Sequence, residues 1–330
     1  MYIQANRASK LFAEAGRRAN QNTHVANNNQ VFSYWCRFYG DNPDERSDAI
    51  KLIEAEVYNQ LENKSRVAKS AIEKGVSDLF PPSCFSIAEA QAQSRPGDIW
   101  FVKPNHLSGG RDIQVVSHEQ LASLEMPQFA FLQKGEQHLH LMNGRKYTGR
   151  CYLLVWNGKV FLYRDGFYMV HGKPYDPQSC DYSVQVDHRG YEQAGSEIKM
   201  HCLRQGPDYS QVFSHLLKAN LKLLPVLEPA IAASSERRYL LLGIDFLRRE
   251  DGSIVFIEIN AIPNFVHTSE INQQLNTPFF EHCMYAVSGV PTRELVPLSS
   301  NPVRDWWNRL TGSSRVDHSA GDRESPKVSG

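Results

Sequence analysis

Two segments in the middle of this sequence read as strand, tight turn and strand. Asn157-Gly158 divides the first segment and Asp251-Gly252 divides the second. Both dipeptides favour two-residue hairpin loops of type I′, and a loop of two residues fixes which positions face each other. The chain must therefore contain antiparallel sheet, and Arg150 is expected to face Asp165 in the first hairpin.

The second hairpin, with predicted strands 240–250 and 253–260, places Asp245 opposite Glu258. Carboxylates that face each other on neighbouring strands repel unless a cation lies between them. Asn260 follows on the same face, because side chains alternate along a strand. Carboxylate and amide oxygens suit Mg²⁺, which keeps open positions for substrate phosphates. Asp245, Glu258 and Asn260 are therefore predicted magnesium ligands.

A hairpin whose polar face lies in water is the alternative, because opposed acids cost little there. Leu247 and Phe256, the expected preceding pair on the same face, favour a covered face.

A glycine-containing loop follows Lys103-Pro104, between predicted strands 98–102 and 113–116. Its sequence, NHLSGGRDI, matches neither common phosphate-binding glycine motif. Backbone N–H groups around Gly109 and Gly110 can still cradle phosphates, with Lys103 supplying charge. The alternative is a simple hairpin turn, in which glycine is common.

Cationic side chains alternate along residues 144–152, GRKYTGRCY. Lys146, Thr148 and Arg150 share one face of an extended segment. Such a row is typical of a surface that meets phosphate, since Arg binds it bidentately and Lys binds it as a point charge. A solvated strand face with one cross-strand salt bridge is an equally good interpretation of this segment alone.

Helical periodicity appears in several places. Apolar residues from Ile50 to Leu61 predict one helix, and Val212 to Leu223 predict another, which Pro225 would end or kink. Further predicted elements are helices at 67–75 and 278–288 and strands at 31–39 and 129–133.

Charge and cysteine content narrow the class of protein. The 36 Lys and Arg residues balance 36 Asp and Glu residues, so no overall field favours nucleic acid or an anionic membrane. The longest apolar runs, such as Cys151 to Trp156, are far shorter than the roughly 18 residues of a membrane span. The six cysteines form no C-x-x-C pair, which argues against zinc and disulfides and fits a reducing cytoplasm.

Five motifs occur in order between residues 103 and 260: KP with its glycine loop, FLQK, GRKYTGR, GIDF and IEIN. Together they resemble the ATP-grasp nucleotide site of the tubulin-tyrosine-ligase-like family. The resemblance implies an α+β fold in which two antiparallel sheets with flanking helices enclose the nucleotide, preceded by a small N-terminal α/β domain. The expected divisions are an N-terminal domain that could select the partner (1–80), a central subdomain with the glycine loop (81–139), a C-terminal subdomain with the metal site (140–299) and a disordered tail (300–330).

The resemblance also implies a role for each matched residue. Lys103 would touch the phosphates and, with Arg150, stabilise charge during phosphoryl transfer. The loop carrying Gly109 and Gly110 would close over the nucleotide. The remaining expected contacts are Gln133 and Lys134 at the adenine, Lys146 and Arg150 on the ribose and phosphate side, and Asp245, Glu258 and Asn260 at Mg²⁺, with Glu258 also essential for catalysis.

Three departures from the family pattern concern the acceptor side. The family usually carries an acidic residue where Thr148 stands and a glycine where Asp112 ends the loop. An arginine expected in the segment GFYMVHGKPYD is absent.

The expected activity is that of an ATP-dependent carboxylate-amine ligase in the cytoplasm, which joins an amino acid to a protein or peptide acceptor. A carboxylate would attack the γ-phosphate of ATP, and an amine would then displace phosphate. Two alternatives stay open: a small-molecule kinase on the same fold, and a module that binds ATP without chemistry.

Overall fold

The computed structural model describes residues 2–5, 9–25, 33–36, 50–107, 109–186, 189–193, 195–235, 237–265 and 267–298. Residues up to Leu298 form one compact unit. The fold mixes helices with three sheets, as expected for an α+β protein. The predicted tail at 300–330 and part of the predicted strand 31–39 lie outside the described residues. The domain boundaries at residues 80 and 139 stay predictions.

The strands are β1 (Tyr2–Ala5), β2 (Ser33–Cys36), β3 (Lys51–Leu52), β4 (Ser83–Cys84), β5 (Ile99–Pro104), β6 (Gln114–Ser117), β7 (Ala130–Lys134), β8 (Tyr147–Trp156), β9 (Lys159–Val170), β10 (Lys199–Cys202), β11 (Arg238–Arg248), β12 (Ile254–Asn260) and β13 (Leu295–Leu298). The helices are α1 (Ser9–Val25), α2 (Ala55–Glu62), α3 (Lys64–Glu73), α4 (Ile87–Gln93), α5 (Tyr182–Gln185), α6 (Tyr209–Ala233), α7 (Ser269–Ile271) and α8 (Thr277–Val287).

Two sheets position the candidate site. The large sheet has seven strands in the order β10-β9-β8-β11-β12, with β13 also paired to β9 and β3 paired to β11. All its pairs are antiparallel except that of β3 with β11. The small sheet is antiparallel throughout, in the order β4-β7-β5-β6. The two-stranded sheet of β1 and β2 is parallel.

The first hairpin has the predicted turn but not the predicted register along its whole length. Asn157 and Gly158 both have positive φ, as a type I′ turn requires, and Trp156 faces Lys159. A bulge beyond Leu153 then shifts the pairing by two residues, so that Arg150 faces Phe167. The prediction that Arg150 faces Asp165 is wrong. The bulge lies where β9 changes its outer neighbour from β13 to β10.

The second hairpin differs from the prediction at its tip. Only Gly252 among loop residues 250–252 has a positive φ, and Arg249 N–H donates to Ser253 O, so the loop has three residues instead of two. The strands therefore start one position out of the predicted register, and Phe246, not Leu247, faces Phe256. A bulge between Phe246 and Asp245 then restores the predicted register, so that Asp245 faces Glu258.

Two helix predictions also need correction. The predicted helix from Ile50 begins only at Ala55, because residues 51–52 pair with β11 as strand β3. Helix α6 runs through Pro225 to Ala233, so the predicted end at Pro225 is wrong, whereas the alternative of a kink there stays a prediction. The residues after Pro225 include Val226, Leu227 and Ala230, all buried, and packing of this apolar face outweighs the lost backbone hydrogen bond.

The two faces of β8 contact different cores. Cys151, Leu153 and Val155 pack in a core with α6, whereas Tyr152 and Leu154 on the other face pack in a core with α1 and α8. Towards the start of β8 this second face becomes polar, as side-chain alternation predicts for positions 146 to 150. Within the described part of the chain, no helix is both long and apolar enough to cross a membrane.

Candidate functional site

The candidate site lies where the small sheet meets the β11-β12 hairpin. Lys103 of β5 is buried and its Nζ contacts Gln133 Oε1 at 2.7 Å and Ile257 O of β12 at 3.4 Å. Burial lowers the pKa of this lysine to about 8, although the Glu258 carboxylate opposes the shift. Lys103 therefore joins the two sheets and brings a readily neutralised amine into the gap between them.

Asp245 and Arg150 form a two-point ion pair inside the site. Arg150 Nε lies 2.6 Å from Asp245 Oδ1, and Arg150 Nη2 lies 2.8 Å from Oδ2. Neighbouring strands bring them together, since β8 and β11 pair position 150 with position 245. Opposite this pair, Gly243 leaves room for Arg150: a Cβ there would lie 3.2 Å from Arg150 Cδ and 2.9 Å from Pro263.

Glu258 faces Asp245, as predicted, but has a separate partner. Lys64 Nζ lies 3.1 Å from Glu258 Oε1 and also donates to Leu107 O, at 2.6 Å, in the glycine loop. The Lys64 side chain is 7% exposed and that of Glu258 is 20% exposed. Each of the facing carboxylates is therefore paired with a cationic side chain, Asp245 with Arg150 and Glu258 with Lys64.

The predicted magnesium ligands suit a hard cation in type. Asp245 and Glu258 supply two carboxylates, and Asn260 lies close enough for its Nδ2 to donate to Asp245 Oδ2 at 3.3 Å. Among the described residues no group of three His, Cys, Asp or Glu side chains is arranged to hold a metal ion. Two carboxylates and an amide nevertheless match Mg²⁺, which retains waters and substrate oxygens as its other ligands.

Lys146 is also buried and lies against the small sheet. Its Nζ donates to Gln185 O at 2.8 Å and lies 5.2 Å from the centre of the Phe101 ring of β5. Burial, with a further contribution from the Lys103 charge, lowers its pKa to about 7. Two buried lysines with lowered pKa values thus lie near each other, an arrangement that an anion between them would stabilise.

Gln133 and Lys134 point in opposite directions because they are neighbours on β7. Gln133 is buried and contacts Lys103. Lys134 Nζ instead lies 2.6 Å from Asp98 Oδ2, so only Gln133 joins the other predicted side chains. The Lys134 backbone N–H donates to Pro82 O.

The glycine loop is held from two sides. Lys64 binds Leu107 O on one side, and on the other the Tyr182 hydroxyl donates to Gly110 O at 2.8 Å. Gly109 and Gly110 both have positive φ, and a Cβ on Gly110 would lie 2.8 Å from the Tyr182 oxygen. Asp112 also has a positive φ of 56°, a conformation that glycine adopts most readily, and glycine is the residue that the resembled family usually carries there.

An apolar cleft adjoins the charged groups. Its walls include Val67 and Ala68 of α3, Phe131 of β7 and Ile257 and Ile259 of β12, and Gln133, Lys64 and Glu258 lie at its polar end. The room between these side chains is only about 10 Å³, enough for one group the size of a water molecule, so a ligand with a flat apolar part would enter only after the cleft widens.

No protein-family model matches this chain, and a search of curated proteins found no match. What the site can do is therefore argued from its side chains.

Two of the three departures from the family pattern lie next to each other in the structure, on the facing strands β8 and β9. Thr148, which stands where the family has an acidic residue, faces Met169 within the segment that lacks the expected arginine. The Thr148 hydroxyl lies 3.4 Å from His171 Nε2. An uncharged pair of residues thus occupies a part of the surface where the family pattern has charges.

Sequence reasoning missed Lys64. It stands at the first position of α3, directly after Asn63, whose side chain accepts from Arg66 N–H. A cation in the first turn of a helix is unfavourable with the helix dipole, so a buried lysine there is a signal that the sequence offered. Its partner Glu258 lies 194 positions away in the chain, which no local pattern reveals.

Proposed function

We propose that this protein is an ATP-dependent carboxylate-amine ligase with an ATP-grasp nucleotide site, similar to the tubulin-tyrosine-ligase-like enzymes. The supporting observation is the grouping of Lys64, Lys103 and Arg150 around the facing carboxylates Asp245 and Glu258, with Lys146 near Lys103, in the gap between the two sheets. The narrow apolar cleft beside them would have to widen to admit the base of a nucleoside polyphosphate.

The adenine would lie between the side chains of β7 and β12 once the cleft there widens, with Gln133 at its edge. The phosphates would lie among the lysines. Burial lowers the pKa of Lys103 and Lys146. A polyphosphate bound beside these lysines would favour their charged forms, and the resulting ion pairs would be strong because they are shielded from water.

Asp245, Glu258 and Asn260 would hold Mg²⁺, whose role is to screen the phosphate charges during transfer. Lys103 and Arg150 would stabilise charge that develops on the transferred group. The glycine loop, tied to Lys64 and Tyr182, would exclude water from the reaction.

In the first step, a substrate carboxylate oxygen attacks the γ-phosphorus of ATP and ADP leaves, which gives an acyl phosphate. An amine nitrogen then attacks the acyl carbon and expels inorganic phosphate, forming an amide and releasing a proton. One substrate would be an amino acid and the other a protein or peptide, in the cytoplasm.

A module that binds ATP without chemistry is the second candidate. The uncharged Thr148 and Met169 pair favours it, because the corresponding surface lacks the charges expected to contact an acceptor. ADP release in the presence of carboxylate and amine substrates separates the two, since a binding module releases none.

Thermal unfolding with and without Mg-ATP tests the nucleotide site. Ligand at about 100 times its Kd should stabilise the wild type by roughly 2.7 kcal/mol, provided that magnesium is present. Glu258→Gln should lose this response and all turnover while remaining folded. Glu250→Gln, the same substitution at the exposed tip of the same hairpin, should behave as the wild type. If saturating Mg-ATP leaves the wild-type midpoint unchanged, or if Glu258→Gln retains full activity, the proposal is wrong.

A further inference from the structure

His267 is held rigidly in the loop that follows β12, close to the Arg150 and Asp245 pair. Asn272 clamps its backbone from both directions: His267 N–H donates to Asn272 Oδ1 at 3.3 Å, and Asn272 Nδ2 donates to His267 O at 3.1 Å. The ring packs edge-on against Phe167, with centroids 5.0 Å apart. Arg150 lies 5.6 Å from the centre of the same Phe167 ring. Nothing in the nucleotide and metal roles assigned above uses this histidine.

Asn276 determines which ring nitrogen of His267 carries the proton. Asn276 is fully buried, and its Nδ2 donates to Phe265 O at 3.0 Å while its Oδ1 accepts from the Tyr152 hydroxyl at 3.1 Å. These two bonds fix the amide orientation. The same Nδ2 lies 2.8 Å from Asn272 Oδ1 and 2.9 Å from His267 Nδ1, so three acceptors share its two hydrogens. An amide nitrogen cannot accept a hydrogen bond, so Nδ1 of the neutral ring carries no proton and the proton is on Nε2.

The surroundings keep the ring neutral. Burial, and after it the Arg150 charge, lowers the pKa of His267 to about 3, against an opposing effect of Asp245. A neutral ring with Nδ1 occupied and a hydrogen on Nε2 has no lone pair to take a proton from an amine. This histidine is therefore unsuited to act as a general base and suited to act as an uncharged hydrogen-bond donor.

We infer that His267 Nε2 donates a hydrogen bond to the substrate carboxylate that is to be phosphorylated, beside the guanidinium of Arg150. This inference rests on the proposed ligase function and names the carboxylate subsite within it. A neutral donor orients one carboxylate oxygen without the full charge neutralisation that a second cation would bring. The other oxygen therefore keeps more of its nucleophilicity towards the γ-phosphate.

The tautomer and the carboxylate contact can be measured directly by NMR of protein labelled with ¹⁵N in histidine and arginine. His267 is expected as the Nε2–H tautomer from about pH 5 to pH 8, and His267→Phe assigns its signals. Acetate, used as the smallest carboxylate probe on protein saturated with Mg-ADP, should shift both the His267 Nε2 signal and the Arg150 Nε signal. The Arg150 signal then gives the acetate Kd in every variant.

His267→Phe keeps an aromatic ring but removes the donor, and it should weaken acetate binding about two- to tenfold. His267→Gln restores a donor and should lie closer to the wild type. Asn276→Asp should move the ring proton to Nδ1 and weaken acetate binding without altering His267 itself. The two His267 variants keep the test decisive if Asn276→Asp fails to fold.

An Nδ1–H tautomer in the wild type, equal acetate affinity in wild type and His267→Phe, or no response of the His267 signal to acetate would each overturn the inference. Thermal stabilisation by Mg-ADP is recorded on the same samples. Its absence in the wild type would count against the nucleotide site, whereas normal stabilisation with no acetate response would count against His267 alone.

Discussion

Asp245 and Glu258 face each other across β11 and β12, yet each carboxylate is paired with a different cation. Arg150 reaches Asp245 from the neighbouring strand of the same sheet, and Lys64 reaches Glu258 from helix α3. The second ion pair therefore connects the sheet to the helix that also binds the glycine loop. These two ion pairs reduce the repulsion between the facing acids and couple four side chains at one point.

The Lys64 and Glu258 pair should be strongly coupled, because both side chains are largely buried. A double-mutant cycle with Lys64→Met and Glu258→Gln, measured by urea unfolding, should give a coupling free energy of about 0.5 to 3 kcal/mol. The exposed pair of Lys74 and Glu228 is the control and should show much weaker coupling. Additive effects at Lys64 and Glu258 would contradict the pairing.

Gly149 makes space for Phe246, which it faces across β8 and β11. A Cβ at position 149 would lie 2.1 Å from Phe246 Cζ, so Gly149→Ala should lower the free energy of unfolding by about 1 to 3 kcal/mol. Gly172→Ala, whose Cβ would meet its neighbours at 3.5 Å, should change stability little. Adding Phe246→Leu to Gly149→Ala should recover part of the loss; no recovery would mean that the ring is not the cause.

Stability should rise with pH between about 7 and 9, below the range in which buried thiols with raised pKa values, such as Cys84 and Cys151, keep protons in the folded state that the unfolded chain releases. Lys146 has its pKa lowered from 10.5 to about 7 and Lys103 to about 8, so between these values and 10.5 the folded state binds fewer protons than the unfolded chain. Each proton of difference adds about 1.4 kcal/mol to the free energy of unfolding per pH unit. Urea unfolding at several pH values checks this slope, which Lys146→Met should reduce and Lys74→Met should not. An unchanged slope in Lys146→Met would contradict the assignment.

Tyr182→Phe should loosen the glycine loop. It removes the hydroxyl that donates to Gly110 O, at a cost of about 0.5 to 1.5 kcal/mol, and should speed amide hydrogen exchange at residues 109–112. Tyr175→Phe removes a comparable hydroxyl bond, to Glu136 O, and should leave the loop unchanged. Equal exchange at residues 109–112 in both variants would show that Tyr182 does not hold the loop.

Local patterns predicted much of the sheet structure. Asn157-Gly158 forms the expected turn because both residues adopt the positive φ that its type requires. The facing of Asp245 and Glu258 was also predicted, but for an incomplete reason: the loop at 250–252 has one more residue than expected, and a bulge compensates for it. Side chains alternate between the two faces of a strand, so Gln133 and Lys134 on β7 should point in opposite directions. The structure shows this, because Gln133 contacts Lys103 and Lys134 contacts Asp98.

The sequence by itself determined that hairpins form around Asn157-Gly158 and Asp251-Gly252, and which side chains share a strand face, because these follow from turn preferences and a two-residue period. Only the tertiary structure decided that Arg150 faces Phe167 instead of Asp165, that α6 continues through Pro225, and that Lys64 reaches Glu258. These three outcomes depend on neighbours distant in the chain: a change of strand partner along β9, an apolar helix face covered by the large sheet, and an ion pair between a helix and a sheet. Their energies arise from packing and burial, which a local sequence pattern does not contain.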